Sequence, residues 1–284
     1  MQSAATQLPI RLNLSAEGLL ACPIVFVKLI DLLNSSNSTS QDLTDVIALD
    51  PILTAQVLRS ANSIRFGSPR NMGSVEQAVF RLGFKEIGLI ATGLKAKAIF
   101  KDAQNNWNPF NTALWQHSIR TAALAKLLSA RVDHRTADLF FTAGMLHDIG
   151  KLVMARSDTE YTADHAGLVL QGSAGIRWES TRYTTHHALI GAQLLRQWNI
   201  PNPIVKLVEE HHEDIDEGPS RRAHLHLALA NELAHAQPWF KSMNADPNSV
   251  PIQRFLLDQA GQTLQSCREL LESADKQIQL FEEV

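Results

Sequence analysis

Cysteine is nearly absent from this 284-residue chain. Cys22 and Cys267 lie at opposite ends without metal-type spacing, and two thiols make no disulfide scaffold, so both read as reduced packing residues. Long apolar runs are missing as well: none reaches the roughly 18 residues that span a bilayer. The start, Met1-Gln2-Ser3-Ala4-Ala5-Thr6, lacks the basic stretch and apolar core of a secretory leader. The expectation is a soluble, cytoplasmic protein with no membrane partner. Nor is one sign of charge in surplus. The formal net charge is -3 with acids and bases interspersed, so no basic face marks non-specific nucleic-acid binding. Strand-like alternation is scarce and no internal repeat is evident, which leaves helical periodicity as the dominant pattern. With 45% hydrophobic residues the chain can fill an ordinary globular core, and the economical fold class is all-α.

Helix starts are written in the sequence. Asp50-Pro51 supplies an N-cap and a first-turn proline for a helix to about Ser60, and Ser74 with Gln77 forms a capping-box pattern. Leu19, Pro23, Val27, Ile30 and Leu33 predict a first core helix that stops in the polar tract from Asn34 to Ser38, and Gly83 separates two helices, the second from Phe84 to Phe100. The Asn-rich tract Lys101 to Pro109 marks a composition shift. It divides the chain into a smaller N-terminal helical subdomain over 1–104, a helical domain carrying the histidines over 105–240, and a C-terminal helical extension over 241–284. Further helices are predicted near Thr112–Ala130, Arg135–Leu146, Ala188–Trp198, Pro203–His212 and Arg222–Ala236. Gly167–Thr185, rich in Gly, Ser and Thr, reads as a loop or partly helical connector that could cover a site. The tail from Ile252 reads as one or two amphipathic helices with Leu256, Leu264, Leu270, Leu271 and Leu280 buried.

The chemistry sits in Gly144-Met145-Leu146-His147-Asp148-Ile149-Gly150-Lys151. An imidazole and a carboxylate are adjacent at the end of an apolar helical run and could bind one divalent ion; Gly150 lets the chain leave the helix sharply, and Lys151 offers a cation to a phosphate oxygen. His117, His186, His187, His211 and His212 each fall in or beside a predicted helix, so several helices could converge on one site. Taken singly, each has an ordinary alternative. His117 could be a hydrogen-bonded core histidine, and His211 and His212 could complement a helix C-terminus as cations. Gly191-Ala192, just after His187, is a small pair that admits another helix. An imidazole-rich, carboxylate-poor set suits iron, manganese or zinc, one or two ions, better than magnesium or calcium. Such a centre could generate hydroxide near neutral pH or clamp a phosphoryl group, which points to phosphate-ester hydrolysis, with Lys151 neutralising phosphate charge.

His117, the His147-Asp148 dyad and Gly150-Lys151 resemble the HD superfamily of metal-dependent phosphohydrolases. The run Asp50-Pro51-Ile52-Leu53-Thr54-Ala55-Gln56-Val57-Leu58-Arg59-Ser60-Ala61-Asn62-Ser63, with Phe66, Ser74 to Val79 and Leu82-Gly83, resembles the HDOD group, the HD-related output domains of bacterial signalling proteins. The likeness continues through His187 to Ala192, Leu194-Leu195, Trp198, Pro201 and His211-His212, covering about Leu14 to Ala236. It implies an HD-like multi-helix domain behind a smaller subdomain, and metal ligation by His117, His147, Asp148, His187, His211 and His212. HD enzymes close the set with a late aspartate; the matching place here carries Asn231, whose amide brings no charge. His211-His212-Glu213 does not run on into Gly-Tyr-Pro, which argues against cyclic di-GMP hydrolysis. Two functions follow from the resemblance. One is a signalling module with a partial metal pocket that binds a signalling protein or a phosphate-containing small molecule. The other is an active metal-dependent phosphohydrolase or phosphodiesterase with Asp148 and Lys151 in catalytic roles. A third reading makes the histidines a satisfied polar core without metal. The Asp50 to Ser63 run itself is expected to shape a subdomain or an interaction surface, not to do chemistry.

Overall fold

Capping residues start the helices where the sequence places them. The structure, a computed structural model, describes residues 23–63, 66, 72–101, 107–158, 160–163, 172–213, 221–241, 252 and 254–282, and every regular element among them is helical. Five helices come first: α1 (Ile24–Asn34), α2 (Ser40–Ala48), α3 (Pro51–Ala61), α4 (Val75–Leu82) and α5 (Phe84–Ile99). Thr39 and Asp42 form a reciprocal capping box on α2, and Asp50 Oδ1 accepts the N–H groups of Ile52 and Leu53 at 3.0 Å to open α3. Ser74 accepts from Gln77 N as expected, but Gln77 Oε1 reaches one residue further back, to Gly73 N at 2.9 Å. Asn62 ends α3 and ties it to Met72, accepting from Met72 N at 2.7 Å and donating to Met72 O at 3.0 Å. Asp50 and Asn62, towards the two ends of the Asp50 to Ser63 run, thus have local structural roles.

The histidine-bearing helices follow: α6 (Pro109–Ala130), α7 (Ala137–Leu146), α8 (Ile149–Ser157), α9 (Glu160–Ala163), α10 (Gly172–Tyr183), α11 (His187–Gln197), α12 (Asn202–Glu209) and α13 (Arg221–Lys241). Asn108 caps α6 by accepting from Asn111 N at 2.8 Å, so the polar tract that interrupts the chain also restarts it. α6 packs against α7 and α13, while α11 lies between α8 and α12. Two last helices, α14 (Arg254–Gln259) and α15 (Leu264–Glu282), close the described chain. α15 crosses α5 and α6, where Lys97 Nζ donates to the Phe281 carbonyl at 2.6 Å and Arg120 pairs with Asp275 at 3.2 Å. None of the described helices is long and apolar enough to cross a membrane.

Two expectations are corrected, and one, the loop or partly helical connector, is met in its helical alternative. α1 buries Phe26, Leu29 and Ile30 while Val27 and Leu33 are half-buried, so its core face is rotated from the expected one. Most of the expected Gly167–Thr185 connector that falls among the described residues is helix α10, because Trp178 and Tyr183 pack on Tyr161 and supply the apolar face that a count of Gly and Ser hides. Gly150 does not release the chain: it lies in the first turn of α8. Leu256, Leu270 and Leu271 are buried as expected and Leu264 is half-buried. Cys267 is a free, buried thiol that burial pushes up to about 11, consistent with a packing role. Leu19, Cys22, the tract at 102–106, residues 214–219 and the Leu280 side chain lie outside the described residues.

Candidate metal centre

Glycine contacts bring the dyad to its neighbours. A Cβ on Gly144 would sit 2.8 Å from Ala122 Cα, so α7 meets α6 backbone to backbone and carries His147 to His117. A Cβ on Gly150 would sit 1.9 Å from His187 O and 2.8 Å from Gly191 N, so α8 meets α11 equally closely and carries Asp148 to His187. The expected role of the Gly191-Ala192 pair is met by this crossing. Between the two glycines the helix breaks: His147 caps the end of α7 and Asp148 the start of α8.

The dyad's carboxylate faces two groups of imidazoles. Asp148 Oδ2 lies 3.3 Å from His147 Nε2 and 3.6 Å from His117 Nε2; Oδ1 lies 3.1 Å from His187 Nε2 and 3.9 Å from His211 Nε2. His117 Nε2 and His147 Nε2 are 3.2 Å apart, and His187 Nε2 and His212 Nε2 are 3.1 Å apart. Within each of the sets His117–His147–Asp148 and Asp148–His187–His211–His212, the potential ligand atoms all lie within 4.8 Å of one another. His147, Asp148, His187, His211 and His117 are buried and His212 is half-buried.

Hydrogen bonds fix which ring nitrogen faces inward. His147 Nδ1–H donates to Gly144 O at 2.7 Å and His211 Nδ1–H to Val208 O at 2.6 Å; carbonyls only accept, so these protons are assigned to Nδ1. His187 Nδ1–H donates to Glu179 Oε2 at 2.8 Å. In their neutral forms all three rings therefore present Nε2 lone pairs to a carboxylate. Burial pushes His117, His211 and His212 well below the usual imidazole range, keeping them neutral. Burial also lowers His187, but the neighbouring Glu179 and Asp148 outweigh it and raise the group. For Asp148 burial opposes ionisation, yet His147, Lys151 and His187 hold its carboxyl well below the usual range.

Buried acceptors without partners complete the description. Asp148 Oδ1, His211 Nε2 and Asn231 Oδ1 make no hydrogen bond, although each such atom costs roughly 1–3 kcal/mol when left unsatisfied. Imidazole and carboxylate ligand atoms gathered within 4.8 Å of one another fit a divalent transition-metal ion, and Asn231 Oδ1 is a further buried acceptor without a partner. Lys151 is the cation present: Nζ donates to Asp148 Oδ2 at 2.7 Å with both groups buried, so it is held in the centre and not offered to solvent.

Three groups near the centre escaped the sequence reading. His235 stacks on His117 with ring centroids 4.1 Å apart, and burial pushes it down to about 4. Its spacing of one helical turn from Asn231 on α13 was the available signal. Glu179 and Tyr161 gave none, since Glu179 lay in the segment read as a connector. Their side-chain hydrogen bonds are with each other and, for Glu179, with His187.

A family profile described as the HDOD domain matches residues 19–214, and the chain belongs to this family. An uncharacterized protein of Treponema pallidum (strain Nichols) is 23% identical over 256 residues, covering 87% of this chain and 48% of that protein. The chain thus spans about half the length of that relative. A candidate phosphohydrolase of Shewanella amazonensis SB2B superposes with a TM-score of 0.69 at 23% identity, over 92% of this chain and 96% of the other. A candidate signal transduction protein of Marinobacter aquaeolei VT8 gives 0.69 at 22% identity, over 93% and 58%. At these identities the likeness establishes the fold alone.

Proposed function

We propose that this chain is a bacterial signal-transduction module whose partial HD-type pocket holds one or two ions of iron, manganese or zinc and which acts by binding. Its partner is a signalling protein or a phosphate-containing small molecule. His117, His147, Asp148, His187, His211 and His212 would hold the metal, with Asn231 as a neutral ligand. The observation that carries this reading is the burial of the donor set together with the Lys151 ammonium bound to Asp148. Structural metal sites are closed, whereas catalytic ones keep an open position. Asn231 points the same way, since an amide tolerates a scaffolding ion but adds no charge to drive hydrolysis.

A second reading, a metal-dependent phosphohydrolase or phosphodiesterase, is favoured by one feature. The Asp148 carboxylate spans two donor groups, an arrangement suited to a metal pair. Such a pair, when bound, supplies Lewis acidity and a water of lowered pKa. In that reading Asp148 orients the donors, and Lys151, released from Asp148, neutralises a phosphate oxygen.

The test is metal analysis of protein purified without chelators or a metal-binding tag, beside Asp148→Ala. The expected result is about one or two equivalents of iron, manganese or zinc, lost in the variant, with no turnover of phosphate mono- or diesters. Turnover abolished by Asp148→Ala would favour the second reading. Absence of metal after anaerobic reconstitution with each ion would sink both metal readings.

A further inference from the structure

Glu179, on α10, is wholly buried and lies outside the donor sets. A buried carboxylate needs partners. Glu179 has three donors: Oε2 accepts from the His187 backbone N–H and from His187 Nδ1–H, each at 2.8 Å, and Oε1 accepts from the Tyr161 hydroxyl at 2.6 Å. The Tyr161 ring is held independently by Phe110, Trp178 and Tyr183, with centroids 6.1, 5.8 and 6.1 Å away. Its hydroxyl can therefore change without moving the ring.

We propose that Glu179 is the positioning residue of the centre: it fixes His187 with Nδ1 protonated and the Nε2 lone pair toward Asp148, while Tyr161 sets how much Glu179 charge that imidazole feels. The proposal rests on the metal-holding reading of the pocket. Glu179 grips His187 at ring and backbone together, so one carboxylate sets both the imidazole and the first turn of α11. An anionic partner on the outer nitrogen makes an imidazole a better ligand, and its removal typically costs 10–100-fold in metal affinity. Tyr161 acts in the opposite sense, because its hydroxyl withdraws part of the carboxylate's charge.

Two substitutions separate these effects by sign. In Glu179→Gln the amide oxygen still accepts from His187, and the Tyr161 hydroxyl can turn to accept from the amide nitrogen, so geometry survives while charge is lost. Titration of the metal-free full chain with Mn²⁺ alone should then show affinity falling on the order of tenfold. In Tyr161→Phe, affinity should rise, by roughly two- to threefold, even though a buried hydrogen bond is lost. A merely structural role would weaken binding in both variants, and that outcome, or no change in Glu179→Gln, overturns the proposal. The His187 tautomer, read by ¹⁵N NMR on metal-free protein at mildly alkaline pH, gives a second measure. The wild type should hold the proton on Nδ1, and Glu179→Ala should release it to Nε2. A wild-type proton on Nε2 overturns the proposal outright. If the wild type binds no Mn²⁺ but keeps the Nδ1 proton, the metal reading fails while the positioning role of Glu179 stands.

Discussion

The N-terminal helices α1–α5 and the helices meeting at Asp148 use polar side chains in opposite ways. In the first region Thr39, Asp42, Asp50, Asn62 and Ser74 stand at helix ends, partly in water, and satisfy backbone groups that would otherwise be orphaned. Its buried side-chain atoms without partners, on Ser60, Ser63 and Thr92, are hydroxyls. In the second region they include the carboxylate oxygen of Asp148, ring nitrogens of His186 and His211, and the amide oxygen of Asn231. Burying such groups opposes folding. The first region's capping residues are accounted for by the fold, whereas the second's buried carboxylate, ring nitrogens and amide oppose it and need a ligand or charge partner to explain them.

The largest way to sharpen this contrast is to break the buried ion pair. Asp148→Ala leaves the Lys151 ammonium buried without its carboxylate, which should cost about 3–5 kcal/mol in stability. Asp148→Ala with Lys151→Met should recover much of that loss without recovering metal. Urea unfolding with metal analysis of each variant reads both quantities, and recovery of metal in the double variant would refute the ligand role of Asp148. Next comes a pair of glycines. Gly150→Ala drives a methyl into the His187 carbonyl, backbone that cannot step aside, at about 3 kcal/mol. Gly88→Ala on α5 meets Leu33 Cδ2 at 2.6 Å, the flexible end of a side chain. Alanine's helix preference of about 1 kcal/mol offsets much of that clash. Similar losses in thermal denaturation of the two variants would deny that the crossing of α8 and α11 is the tighter constraint.

The same contrast governs what could be read from sequence. Helices announced by Asp50-Pro51 and by Ser74 were legible because a cap and its partners lie within one turn. The all-α class followed from periodicity, and the family from motifs in order. The histidines could be named as a set, and the structure brings His117, His147, His187, His211 and His212 to Asp148 while His186 lies outside both donor sets, but their roles as ligands are a proposal. Gly150 was misread because its purpose is set by His187 and Gly191, distant in sequence. Glu179 was missed for the same reason, and because a Gly- and Ser-rich segment masked the apolar spacing of Trp178 and Tyr183. Lys151 could be seen, but the pairing that turns it inward could not.

A smaller effect is expected at the centre's neutral member. In the reading that makes Asn231 a ligand, Asn231→Asp adds a second carboxylate to the set, which should raise metal affinity on the order of tenfold, or about 1.4 kcal/mol. Without metal the same substitution buries a carboxylate in place of an amide and should lower stability. Titration with Mn²⁺, and denaturation with and without it, should therefore move in opposite directions. Unchanged affinity would place Asn231 outside the ligand set.

The smallest effect lies in the first region, where one side chain does two separable jobs. Asp50 Oδ1 caps α3, and Oδ2 accepts from Lys95 Nζ on α5 at 2.8 Å. The Lys95 hydrogen bond, with the capping N–H groups, holds its carboxyl below the usual 3.8. Asp50→Ala should cost about 1–2 kcal/mol by loss of the cap. Asp50→Asn keeps a good cap and removes only the charge, so it should cost about 1 kcal/mol or less, as partly exposed ion pairs do. The sign with pH follows from the lowered folded value: the unfolded chain binds the proton first as pH falls. The charge contribution is therefore complete above 3.8 and disappears as pH drops through the folded value. Urea midpoints of wild type and Asp50→Asn should converge on acidification below 3.8, while those of Asp50→Ala and Asp50→Asn stay apart. Metal content should be the same in all three, because the helix-end chemistry of α3 and the buried chemistry at Asp148 share no residue. A loss of metal in either Asp50 variant would show that the two regions are coupled.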